Sequence, residues 1–300
     1  MTNRRDALKC LGVGAGTLFT LSGGVFSAFD MAEARIEDVG TPLFLQISDT
    51  HIGFNKDANP DVVGTLNGTI DAINALPSPP AFALHTGDVT HLSKASEFDT
   101  ASQLLSRLKV SEMHVVPGEH DVTDGPGAEF FARFGKPSNN RGYYSFDAKG
   151  VHFVALVNVM NFKPNGLGAL GEDQLAWLKD DLAGRSASQP VVVFAHMPLW
   201  TVYEPWGWGT GEGEQIAALL RRFGSVTVLN GHIHQIVQKV EGNILFHTAR
   251  STAYPQPAAG VGSGPGPLLV PAGQLPGMLG VTMAVPNRKR RLSLTDATLA

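Results

Sequence analysis

Four largely apolar runs constrain this chain most: 42–48, 81–86, 191–195 and 226–230. Each is long enough for one strand and too short for a helix. Their apolar residues run together instead of alternating, which is the pattern of strands covered on both faces. Between them lie segments with helical spacing. In 61–76, Val62, Leu66, Ile70 and Ile73 share one face, and Pro77 stops the helix. The spacing predicts further helices over 93–108, with Ser93 as N-cap, over 172–182 and over 212–223. Other strands are expected at 113–116, 143–146 and 151–157, the last two joined by a turn at Ala148-Lys149-Gly150. A hairpin pairs 233–240 with 244–248, and strands at 278–284 and 291–294 close the chain. Strands alternate with helices first and hairpins follow. That order argues for one mixed α/β domain with parallel and antiparallel pairs.

Composition narrows the class. With 43% apolar and 17% charged residues the chain is not disordered, and a single cysteine, Cys10, excludes a disulfide scaffold. A net charge of −4 over 300 residues gives no general attraction to nucleic acid or anionic membrane. The basic run 287–291 is too small a footprint to change that.

Two segments stand outside the α/β pattern. Arg4 and Arg5 precede a weakly hydrophobic, glycine-bearing stretch, 11–29, and Ala32-Glu33-Ala34 offers a small-x-small cleavage site. Residues 1–34 therefore read as a twin-arginine signal peptide. Cleavage would leave a cysteine-free domain, 35–300, in the periplasm or secreted, with no membrane attachment. The second segment is 254–280, with six prolines and seven glycines. It is expected to be an irregular loop, either a surface excursion or a rim over a site.

Five motifs stand at the ends of the apolar runs or in turns just beyond them. They are Asp49-Thr50-His51, Gly87-Asp88, Gly118-Glu119-His120-Asp121, His196 and Gly231-His232-Ile233-His234. The carboxyl ends of strands in an open α/β sheet share one crevice, so these distant residues can meet there. The pooled types are Asp, His and one Glu, the oxygen and nitrogen donors that Mn, Fe and Zn accept. In Asp-x-His and His-x-His, residues i and i+2 of an extended segment point the same way and can grip an ion from one side. Any one pair alone is as readily a turn or a structural histidine. Five in order, each at a strand exit, point to a metal centre.

With motifs in the order D-x-H, G-D, G-N-H-[DE], H and G-H-x-H, the chain resembles the calcineurin-like metallophosphoesterases over essentially all of 42–250. Tyr143-Tyr144-Ser145-Phe146, Val151-His152-Phe153 and the stretch 170–178 support the resemblance. It implies an α/β fold, a four-layer α/β/β/α sandwich of two mixed sheets flanked by helices. It also implies a dinuclear-metal phosphoesterase acting on small-molecule phosphate esters. Asp49, His51, Asp88 and His234 would hold one ion, and Asp88 would bridge to a second held by His196 and His232. Fe and/or Mn are the expected metals, with Zn the other candidate. Two ions about 3.5–4 Å apart would share a hydroxide that attacks phosphorus in line. His120 would be the general acid, a contribution of about 10²–10⁴-fold, with Asp121 orienting it.

The chain departs from the family pattern once. Glu119 stands where the family has an asparagine ligand of the second metal. With two divalent ions and a shared hydroxide, Asn would leave the site one positive charge, and Glu119 leaves it neutral. A neutral site disfavours a doubly charged monoester relative to a diester, unless a trivalent ion restores the balance. The other reading is that Glu119 turns away and the second metal is weak.

The subgroup is less sharply marked. Purple acid phosphatases carry a metal-binding tyrosine where this chain has His91, which disfavours them, and His91 is a candidate to reach the site. Ser48-Asp49-Thr50-His51-Ile52 and Gly87-Asp88-Val89-Thr90 read much like bacterial class III cyclic-nucleotide phosphodiesterases. Trp200, Tyr203, Trp206 and Trp208 follow His196 and either stack on a substrate or pack under the loop. Arg250 either meets a phosphate oxygen or forms a surface ion pair. A phosphodiesterase is the leading expectation. A broad phosphomonoesterase and a non-catalytic binding protein are the alternatives.

Overall fold

The computed structural model describes residues 42–139, 141–161, 166–271, 273–286 and 292–300. It also gives the backbone of three short strands nearer the start: β1 (Leu18–Ser22), β2 (Val25–Phe29) and β3 (Ala34–Arg35). Apart from those strand backbones, the expected leader 1–34 lies outside the described residues, as does the basic run 287–291.

The first apolar runs form β4 (Phe44–Ile47) and β5 (Phe82–His85), and β6 (Met113–Val115) extends them in parallel. β7 (Tyr144–Ala148) and β8 (Val151–Ala155) make a hairpin whose turn residues Lys149 and Gly150 both have positive φ. That conformation matches the twist of the flanking strands. β9 (Val191–Phe194), β10 (Val226–Asn230), β11 (Gln238–Glu241) and β12 (Ile244–Thr248) follow, then the antiparallel pair β13 (Gly280–Pro286) and β14 (Leu292–Thr298). One sheet runs β3-β14-β13-β4-β5-β6 and the other β11-β12-β10-β9-β8-β7. Both mix parallel and antiparallel pairs.

The helices are α1 (Val62–Asn74), α2 (Ala95–Leu105), α3 (Ala128–Phe134), α4 (Glu172–Ala183), α5 (Gly213–Leu220) and the single turn α6 (Leu275–Met278). Alternation along each strand explains the layers. Leu45 and Ile47 of β4 pack with Leu66, Ile70, Phe98 and Phe130 of α1 to α3. Val191 and Val193 of β9 pack with Leu178, Leu182, Ile216 and Leu220 of α4 and α5. The intervening residues, Phe44, Phe82 and Leu84 from one sheet and Phe153, Val192 and Phe194 from the other, meet in the middle. The result is the expected α/β/β/α sandwich. Each buried aromatic at its centre contributes about 1.5–3 kcal/mol. Among the described residues, no helix is long and apolar enough to cross a membrane.

Several element boundaries differ from expectation. Asp61 caps α1 by accepting from the Gly64 amide, and the helix ends two residues early. Ser93 is not the N-cap of α2. Lys94 holds that position, and the Glu97 carboxylate takes the Leu92 amide instead. Ser93 has a left-handed φ, which turns its hydroxyl to donate to the His120 carbonyl and accept the Thr123 amide. β11 is shorter than expected, because 233–237 forms the turn that carries His234.

Candidate metal centre

Every loop that carries a motif leaves the carboxyl end of a strand: Asp49 and His51 after β4, Asp88 and His91 after β5, Glu119 to Asp121 after β6, His196 after β9, His232 and His234 after β10. The chain must turn sharply there to aim short side chains back at one point. Asp49, His51, Asp88, His232 and His234 all have positive φ, five of the eight described non-glycine residues that do. Such backbone costs about 1–3 kcal/mol per residue and clusters where function requires it. Glycines clear the space between loops. A methyl group on Gly118 would strike the Asp88 carboxylate, and one on Gly231 would strike Ser48 Oγ and Asp49 Oδ2.

Two groups of donors result. Asp49, His51 and His234 form one, with His51 Nε2 3.2 Å from His234 Nε2 and His234 Nε2 3.3 Å from Asp49 Oδ1. Glu119, His196 and His232 form the other, with Glu119 Oε2 2.8 Å from His196 Nε2 and Oε1 2.9 Å from His232 Nδ1. Asp88 lies between them. Its Oδ2 is 3.5 Å from His51 Nε2 and 3.4 Å from His196 Nε2, while its Oδ1 accepts the His120 amide at 2.9 Å.

The supporting bonds fix which atoms face inward. His196 Nδ1 donates to the Thr86 carbonyl at 2.7 Å and His234 Nδ1 to the Tyr254 carbonyl at 2.6 Å. Each ring therefore presents Nε2, with its lone pair, to the centre. Asp49 also accepts the His232 amide and the Ser48 hydroxyl.

The electrostatics suit cation binding. Burial works against the charge on Asp49, but the imidazoles of His234 and His196 and the Ser48 hydroxyl outweigh it and lower its pKa. Burial likewise opposes the Glu119 charge, and His232 and His196 outweigh it, holding the carboxyl well below its ordinary range. His51 is held neutral by burial and by His120, His234 and His91. His196 is driven the other way. Burial disfavours its charge, yet Asp88 and Glu119 raise its pKa well above the ordinary value. Its Nε2, Glu119 Oε2 and His232 Nδ1 are nevertheless buried without a properly aligned hydrogen bond. A cation at that point would satisfy all three and would replace the His196 proton. The donor set, oxygen and imidazole without sulfur, fits the expected metals.

The sequence motifs alone extend over most of the same chain. Residues 42–236 match the family described as Calcineurin-like phosphoesterase. The chain belongs to that family. Relatives of this calcineurin-like phosphoesterase include a probable glycerophosphodiester phosphodiesterase GpdQ of Arcobacter nitrofigilis, 26% identical, covering 71% of this chain and 79% of that protein. A probable cyclic nucleotide phosphodiesterase of Rhodopseudomonas palustris is 26% identical, covering 70% and 78%. A serine/threonine-protein phosphatase, CPPED1 of Danio rerio, is 27% identical, covering 64% and 70%. In fold, the chain is similar to a dimetal phosphatase from Danio rerio, with a TM-score of 0.63, 15% identity, and coverage of 86% and 97%.

The motif residues of this calcineurin-like phosphoesterase thus converge, and Glu119 faces inward with them. Asp121 departs from expectation. Its carboxylate accepts the amides of Val89, Thr90 and Gly118 and the Thr90 hydroxyl, so it ties two loops together. His120 is oriented instead by the His91 carbonyl, which accepts from Nδ1 at 2.8 Å. His91 reaches the site as well: its ring stacks on His120, with centroids 4.8 Å apart.

The metal groups open into a cleft of about 380 Å³. Phe54, Lys56, Met197, Trp206 and Trp208 line it, and the proline- and glycine-rich loop supplies Tyr254, Gln256, Pro265 and Pro267 as a rim. Sequence reasoning missed Phe54, Lys56, Met197, Tyr254 and Gln256. The aromatic cluster divides: Trp206 and Trp208 wall the cleft, whereas Trp200 packs on Phe246 of β12. Arg250 lies beside Asp296, whose pKa its charge helps to lower. Its Nη1 donates to the Gly277 carbonyl within α6. His85, His114, His152 and His247 are structural, bonded to Thr50, Tyr144, the Asp147 and Asp181 pair, and Asp296 respectively.

Proposed function

We propose that this chain is an exported, dinuclear-metal phosphodiesterase. The observation that carries the reading is the position of Asp88 Oδ2, 3.5 Å from His51 Nε2 and 3.4 Å from His196 Nε2, a single oxygen between two complete donor groups. Asp49, His51, Asp88 and His234 would hold one ion, and Asp88, Glu119, His196 and His232 the other. Bound there, the pair would supply a nucleophilic hydroxide and neutralise the phosphoryl oxygens.

The chain's own residues do the rest. His120 lies against the cleft with Nδ1 committed to the His91 carbonyl, which leaves Nε2 to give a proton to the departing oxygen. Burial disfavours its charge, but before metal binds Asp88 and Glu119 raise its pKa above the ordinary value. A cleft of about 380 Å³ is far larger than a phosphate group. Its aromatic walls suit an ester with an organic group on each side, and the names of two relatives point the same way.

Protein reconstituted with Mn, Fe or Zn should cleave bis-p-nitrophenyl phosphate and lose that activity on chelation. Preference for p-nitrophenyl phosphate favours a monoesterase, and no turnover of either despite bound metal favours a binding protein. Export rests on Arg4 and Arg5; replacing both with lysine should retain the protein in the cytoplasm.

A further inference from the structure

Tyr254 sits on the His51 side of the centre and has no part in the scheme above. It is 3% exposed and lines the cleft beside His51, Asp88 and His120. Its place is fixed from several directions. Ser251 Oγ donates to the Asp49 carbonyl and accepts the amides of Ala253 and Tyr254, so the segment is pinned to the turn that carries Asp49. Asn59 holds the Ala253 carbonyl. The ring stacks on His51, with centroids 4.9 Å apart, and packs on Phe54 and His234 at 4.3 and 4.7 Å.

The hydroxyl is the unusual part. Tyr254 Oη lies 3.2 Å from His51 Nε2, its one hydrogen-bond partner among the described residues. That nitrogen is the atom His51 would give to an ion. Once its lone pair is taken, the phenol keeps an O–H with no acceptor among the described residues, at the wall of the cleft.

We propose that Tyr254 is a further catalytic residue, donating its O–H to a non-bridging phosphoryl oxygen of the bound ester. This rests on the phosphoesterase reading. A donor fixed in a dry site strengthens its bond as negative charge builds on that oxygen. No covalent bond to Tyr254 forms and its proton stays on it.

Tyr254→Phe keeps the stacked ring and removes only the oxygen. We expect kcat on bis-p-nitrophenyl phosphate to fall on the order of 10²-fold with KM little changed. Affinity for inorganic vanadate, which mimics five-coordinate phosphorus, should fall with it. Metal content and melting temperature should stay at wild-type values. Unchanged kcat and vanadate affinity overturn the proposal. So does loss of bound metal in the variant. So does a visible absorption band in the Fe(III)-loaded wild type that the variant lacks, because the phenolate would then be bonded to the ion. If wild type turns over no ester, the functional reading fails and the vanadate comparison alone decides Tyr254. Wild type that does neither overturns both.

Discussion

Glu119 Oε1 stands 2.9 Å from Nδ1 of His232. The one residue that departs from the family pattern is thus placed as a donor, on the same side as His196, and has not turned out of the site. Its extra negative charge therefore lies among the candidate donors, and the charge argument drawn from the sequence makes a prediction. Glu119→Asn restores one positive charge. The ratio of kcat/KM for p-nitrophenyl phosphate to that for bis-p-nitrophenyl phosphate should rise about tenfold or more, since one unit charge a few ångströms away is worth at least ~1.4 kcal/mol at intermediate dielectric. An unchanged ratio rules the charge argument out.

Gly118 is needed for space. Its φ is −99°, which any residue can adopt, but an added methyl would meet both the carboxylate and the backbone amide of Asp88. Gly118→Ala must displace the Asp88 carboxylate through its Oδ1, and with it the Oδ2 that lies between the two donor groups. We expect metal content to fall toward one ion per chain and activity to drop about 10²-fold or more, with secondary structure by circular dichroism intact. Full metal content and activity would show that Asp88 tolerates the shift.

What the sequence discloses and what it hides follow from how far each feature reaches. The strands are legible because β4, β5, β9 and β10 are covered on both faces and their apolar residues run together. The motif residues are legible because each follows a strand exit, although β4 to β6 belong to one sheet and β9 and β10 to the other, so two sets of exits meet. The hidden features depend on partners far along the chain. Ser93 looks like a cap from its local sequence, but it bonds to the His120 loop, 27 residues away. Asp121 looks like an orienting partner for its neighbour, but it holds amides 31 and 32 residues earlier. Tyr254 opens a segment whose composition says only loop, and its place is set by Ser251 and by the Asp49 turn, about 200 residues earlier. α3 escapes notice because seven residues between Gly127 and Gly135 give too short a period to read.

Asp121 makes stability depend on pH and on metal together. Burial and the neighbouring Asp88 charge push its carboxyl up to about 7, against the amides of Gly118, Thr90 and Val89 that favour its ionised form. Because the folded pKa exceeds the unfolded value, the folded chain retains a proton between 3.8 and about 7 that the unfolded chain has lost. The contribution is complete below that window and declines as pH rises through it. In chelated protein, melting temperature should therefore fall from pH 5 to pH 8 more steeply than in Asp121→Asn. Metal binding neutralises Asp88 and removes the second cause, so the difference between the two proteins should shrink on reconstitution. A difference that is equal with and without metal would separate Asp121 from the Asp88 charge.

Trp206 tests whether the cleft walls read the organic part of the substrate. Its ring lines the cleft and is braced edge-on by Trp208 and Tyr203, with centroids 5.0 and 5.4 Å away. It touches none of the metal donors among its ring contacts, so its loss should leave the reacting centre alone. An aromatic contact of about 0.5–1.5 kcal/mol corresponds to a change in KM of about twofold to thirteenfold. Trp206→Ala should raise KM by that factor for bis-p-nitrophenyl phosphate and by less for methyl p-nitrophenyl phosphate, with kcat nearly constant for both. An equal effect on the two esters would mean that the wall only shapes the cleft, and a fall in kcat alone would place Trp206 with the groups that exclude water from the reaction.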